Sequence, residues 1–88
     1  MPVLSRFYGI IIKMYFRQAE HNPPHIHVEY GDYRASYDII NGDVINGEFP
    51  IAKDRLVRAW IEIHKDELLA NWKLAEQQET LFKINPLQ

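Results

Sequence analysis

Three histidines fall within seven residues of the stretch EHNPPHIHVEY, at His21, His25 and His27, with Pro23-Pro24 between the first and the second. A neutral imidazole is both a metal ligand and a proton acceptor near neutral pH, so two chemistries are open. In an extended strand His25 and His27 share a face and can hold one metal ion. His21 can fold back across Asn22-Pro23-Pro24 as the third nitrogen of an open zinc-type site, and a divalent metal is the cofactor that this reading implies. Such sites need a group holding each ring. The only evident one is Asp38, for His25, which makes the metal reading the weakest.

The second reading needs no metal. One polar face would gather Lys13, Tyr15, Arg17, His25, His27, Glu29, Arg34, Ser36 and Asp38. Asp38 opposite His25 would orient the imidazole and raise its basicity. Lys13, Arg17 and Arg34 would steady phosphate oxygens, and Tyr15 would stack on a base. That is the inventory of an endoribonuclease, with His25, His27 and Asp38 as its catalytic candidates. The third reading is a solvated sheet face, with the proline pair stiffening the loop that enters the strand.

Each reading depends on the elements that carry these residues. HIHVEY and YRASYDI are alternating runs separated by Gly31-Asp32, the signal of a two-residue hairpin turn. That turn sets Tyr30 opposite Tyr33, Val28 opposite Ala35 and Ile26 opposite Tyr37 on one face. Glu29 then meets Arg34, His27 meets Ser36 and His25 meets Asp38 on the other. A slip of one residue would break every match. Phe7–Arg17 reads as one strand, with Tyr8, Ile10, Ile12, Met14 and Phe16 on its apolar side. Asn41-Gly42 predicts a turn into a short strand near Val44–Glu48, with Asn46-Gly47 as a second turn or a bulge. Pro50 suits the first turn of a helix.

From Ala52 to about Gln78 the composition is helical, about 40 Å if unbroken. Leu56, Val57, Ala59, Trp60 and Ile63 form one stripe. Leu68, Leu69, Trp72 and Ala75 form another, rotated by roughly a quarter turn. A break between Ile63 and Glu67 reconciles them, with Asp66 able to cap the second helix and His64 half-buried at the junction. Trp60 and Trp72 read as core anchors, and the tail LFKINPLQ should lie against the domain or fray. The expected fold is α+β: an antiparallel meander of three or four strands with a broken helix or two helices on one face. One domain covers residues 1–88, with the sheet at about 7–48, the helical part at about 51–78 and the tail at 80–88.

Composition narrows the rest. Apolar residues make up 47% and charged ones 25% of the chain, which is ordinary for a globular protein. There is no cysteine, hence neither a disulfide nor a thiolate metal site, and a reducing cytoplasm is the expected setting. No apolar run is long enough to span a membrane, and MPVLSRF lacks the features of a signal peptide. A formal net charge of −2 argues against nucleic-acid binding by overall charge but leaves a local basic patch open.

The segments SRFYGIIIKMYF, HNPPHIHVEYG, DIINGDVINGEFP and IHKDELLANWKLA resemble the small bacterial family called domain of unknown function 4160. The resemblance runs over nearly the whole chain and places Pro23, Pro24, His25, His27, Glu67, Leu68, Asn71 and Trp72 at motif positions, without roles. The RQAE stretch before His21 is longer than the family pattern. The resemblance implies a role in a two-gene, toxin–antitoxin-type arrangement. Its partner would be a small protein encoded nearby, of the family domain of unknown function 2442. RNA is the other expected partner, and a homodimer is open.

Overall fold

The structure, a computed structural model, describes residues 3–16 and 23–88. Its order is β1 (Val3–Phe7), β2 (Ile10–Lys13), β3 (His25–Tyr30), β4 (Tyr33–Asp38), β5 (Val44–Gly47), α1 (Ile51–Ile63) and α2 (Lys65–Glu76). The strands form one antiparallel sheet in the order β1-β2-β3-β4-β5. This is the expected α+β meander followed by two helices.

The fifth strand comes from a turn that the sequence hides. Phe7–Arg17 is not one strand: the chain reverses at Tyr8-Gly9, with φ of 51° and 80°, and Phe7 pairs back onto Ile10. Two consecutive positive φ angles match the twist of a tight hairpin. Gly9 accepts its value freely, whereas Tyr8 is a non-glycine held in the left-handed region. The apolar parity survives where the strand survives, since Ile10, Ile12 and Met14 are fully buried while Tyr8 and Phe16 are exposed.

The β3–β4 register is as the two-residue turn requires, from Tyr30↔Tyr33 through to His25↔Asp38. Gly31 supplies the positive φ of 58°. Strand β5 pairs Asn46 with Ser36 and Val44 with Tyr37, so Ile45 is bulged out of the ladder. The second Asn-Gly pair thus lies inside β5.

Pro50 stands just before α1 as its N-cap, and its carbonyl accepts the first helical bond, from Asp54. The two helices meet at His64, which is the C-cap of α1 and the N-cap of α2. The expected break is there, but Asp66 lies within the first turn of α2 and does not cap it. The imidazole Nδ1 of His64 pairs instead with the Glu67 carboxylate, and its ring lies 5.2 Å from that of Trp60. The buried stripes also differ from the wheel. Ile61 is buried in α1 while Ala59 and Ile63 are exposed, and α2 buries Asn71 along with Leu68 and Ala75.

Asn71 is explained by the tail. Its Nδ2 donates to the Phe82 carbonyl at 2.9 Å, and its Oδ1 accepts from the Phe82 N–H at 3.0 Å. Ile84 N–H then donates to the Leu4 carbonyl of β1, and Trp60 Nε1 donates to the Asn85 carbonyl. The tail therefore packs on both helices and the β1 edge, as expected of a segment too short to fold alone. At the other end, Tyr37 Oη donates to Asp54, which Arg58 grips while also reaching Asp43. Burial, reinforced by Asp54, pushes the Tyr37 hydroxyl well above its ordinary pKa.

Because Asn71 satisfies two backbone groups at a fully buried position, Asn71→Ala should cost about 2 kcal/mol or more. Denaturant unfolding measures it; a loss below ~0.5 kcal/mol would show that the tail is not held this way.

Candidate functional site

The helices cover the face of the sheet that carries Ile10, Ile12, Ile26, Val28, Ala35 and Tyr37, and strand alternation sends the polar residues to the other face. That outer face holds most of the expected candidates. Lys13 pairs with His27 across β2–β3, His27 with Ser36 and Glu29 with Arg34 across β3–β4. Tyr15 follows β2, and its ring lies 4.3 Å from that of His27. Arg17 and His21 lie outside the described residues.

Position is as expected, but partnership is not. Asp38 sits directly opposite His25 in the ladder, yet its carboxylate does not orient that ring. Oδ1 accepts from the backbone N–H groups of Ile40 at 2.7 Å and Asn41 at 3.2 Å. An aspartate at the head of a turn is drawn to the turn's own free donors. His25 Nδ1 instead meets the Pro23 carbonyl at 2.9 Å. A carbonyl can only accept, so Nδ1 carries a proton, and in the neutral ring the lone pair is on Nε2. His27 Nδ1 lies 3.3 Å from Ser36 Oγ. The two imidazole centres are 5.1 Å apart, and His25 lies another 5.1 Å from Trp72 of α2. Rings thus follow one another from Tyr15 through His27 and His25 to Trp72.

The cations are also engaged. Glu29 Oε2 accepts from Lys13 Nζ at 2.9 Å and from Arg34 Nη1 at 2.8 Å. The Lys13 hydrogen bond, helped by both positive charges and opposed by burial, holds the Glu29 carboxyl below its ordinary pKa. His27 is also shifted downward, chiefly by burial and then by neighbouring His25, with Glu29 pulling the other way.

Two adjoining depressions open on this face. One, of about 190 Å³, is bordered by Tyr15, His27, Glu29, Arg34 and Ser36. The other, of about 320 Å³, is bordered by Pro23, His25, His27, Ser36, Ile45 and Asn46. Neither Lys13 nor Arg34 reaches the second. His25 therefore shares its concavity with no cation among the described residues, and the acid–base constellation of His25, Asp38 and Arg34 is not assembled. No three histidine, aspartate or glutamate side chains come together as a metal-ligand group among the described residues.

Ile45, Asn46, Trp72 and the Pro23 carbonyl belong to the site but were not among the expected members. Pairing of β5 with Ser36 is what brings Asn46 in, and only the β4–β5 turn signalled it. Trp72 is half-buried against His25 as well as the core, which a wheel alone cannot distinguish.

Residues 9–73 match the sequence model of a family described as domain of unknown function (DUF4160). No curated protein and no solved structure matches the chain.

The downward shift of His27 has a signed consequence. The folded state binds fewer protons than the unfolded chain below the ordinary histidine value of about 6.5, so its contribution makes stability fall as pH drops below that value. Glu29 acts later in the same direction, since its contribution is lost as pH falls through its lowered folded pKa. The pH dependence of unfolding between about pH 5 and 7 should therefore flatten in His27→Gln. An unchanged slope would show that His27 is not desolvated.

Proposed function

The chain belongs to the domain of unknown function 4160 family, and from that premise we propose that it is an interaction module of a two-gene, toxin–antitoxin-type system. It works in the bacterial cytoplasm and engages its partner through the outer face of the sheet. One observation carries the reading: this face bears three neighbouring rings, Tyr15, His27 and His25, beside two joined depressions, and His25 at the strand end also meets Trp72 of α2. Rigid rings present contact area at a small cost in conformational entropy, which is why they anchor interfaces.

The partner that the family resemblance implies is a small protein of the domain of unknown function 2442. Binding by a ring-rich face suits a protein surface, because Glu29 already engages both Lys13 and Arg34 and offsets one of their two charges. Catalysis by a metal-independent ribonuclease is less well supported. Asp38 is committed to its turn, and no free cation borders the His25 depression among the described residues. RNA as a bound partner is favoured by one feature, the guanidinium of Arg34. Its side chain is 71% exposed and stands at the rim of the depression bordered by Tyr15, where a base could stack.

Calorimetric titration with the purified neighbour-encoded protein should detect a complex. Tyr15→Ala and His27→Ala should each weaken it by about tenfold, the equivalent of ~1.4 kcal/mol. Ile63→Ala, at the exposed helix junction, should leave it unchanged. A complex indifferent to both outer-face variants would remove this face as the interface. Cleavage of a labelled RNA that is abolished by His25→Ala would replace the module with the ribonuclease.

A further inference from the structure

A histidine binds a metal ion well when its second ring nitrogen is held by a carbonyl, carboxylate or hydroxyl, which fixes the tautomer and the aim of the ring. Asp38 does not supply that hold, but two other groups do. The Pro23 carbonyl fixes His25 with its proton on Nδ1, and Ser36 Oγ stands against Nδ1 of His27. Both rings border the same 320 Å³ depression.

We infer that His25 and His27 form an open two-imidazole site for a borderline first-row metal ion such as zinc, nickel or copper(II), bound through their Nε2 atoms. The spacing fits. Two imidazoles on one tetrahedral ion, with metal–nitrogen bonds of about 2.0–2.1 Å, have ring centres about 5 Å apart. The observed separation is 5.1 Å, with the planes at 73°. Room fits too, since the depression greatly exceeds the ~30 Å³ share of a water molecule and so can hold an ion with its remaining water ligands.

The donor set narrows the ion. Nitrogen is offered, and no carboxylate borders the depression, so calcium and magnesium, which need oxygen ligands, are disfavoured. Glu29 is turned to Lys13 and Arg34 and takes no part. Prolines on the entering loop add a stiff approach to His25, so little conformational freedom is lost when the ion binds. This inference does not rest on the interaction reading, because both imidazole ligands belong to one chain.

The test uses the full chain purified without a polyhistidine tag, titrated calorimetrically with zinc and followed by electron paramagnetic resonance with copper(II). One ion per chain should bind, with splitting from two imidazole nitrogens. His25→Ala and His27→Ala should each remove the resonance signature. Ser36→Ala should weaken zinc by about tenfold, the scale of losing an outer partner. His64→Ala, at the helix junction, should leave binding unchanged, and circular dichroism should show all variants folded. Affinity should fall in acid, because a protonated imidazole cannot ligate. Absence of binding at millimolar zinc, or binding that survives both His25→Ala and His27→Ala, would overturn the assignment.

Discussion

The two-residue turn at Gly31-Asp32 is the constraint on which the site depends. It sets the register of β3 against β4, and in a strand the register decides which side of the sheet each residue faces. With this register Ile26, Val28, Ala35 and Tyr37 go to the helices, and His25, His27, Glu29, Arg34 and Ser36 go outward. A slip of one residue would bury two imidazoles and a carboxylate under α1 and α2, at a cost no core of this size could absorb. Glu29 then fastens the outer side, because one carboxylate oxygen joins Lys13 of β2 to Arg34 of β4 across β3.

The inner face is closed by several independent ties. Tyr37, Asp54, Arg58 and Asp43 join the sheet to the start of α1. Asn71 and Trp60 hold the tail, and Ile84 extends that hold to β1. Since helices and tail occupy that side, the outer face is what the fold leaves for recognition. No helix of the described residues is long and apolar enough to cross a membrane.

How much of this was legible in the sequence follows from how local each signal is. The β3–β4 register could be read because a Gly-led turn and two alternating runs agree on it. The helix break could be read because two apolar stripes are out of phase. Tyr8-Gly9 escaped, since a tyrosine at positive φ carries no turn signature. The exchange of Ile61 and Asn71 for Ala59 and Ile63 escaped for another reason: the wheel knows the helix but not the tail that packs on it. At the site, the opposition of His25 and Asp38 was correct as register and wrong as chemistry. The turn after β4 offers Asp38 two N–H donors, and the backbone carbonyl that holds His25 leaves no mark in a sequence.

The central claim is that the outer-face histidines are presented by a proline carbonyl and a serine, with no carboxylate behind them. It accounts for a face of neutral rings suited to binding and leaves Nε2 of His25 open. Nitrogen-15 NMR of the imidazoles reads it directly, in the native chain and in Asp38→Asn, at a pH where the rings are neutral. The account predicts the Nδ1–H tautomer for His25 in both proteins, with ring nitrogen shifts that do not respond to the substitution. A proton on Nε2 of His25, or a tautomer that changes when Asp38 loses its charge, would contradict it.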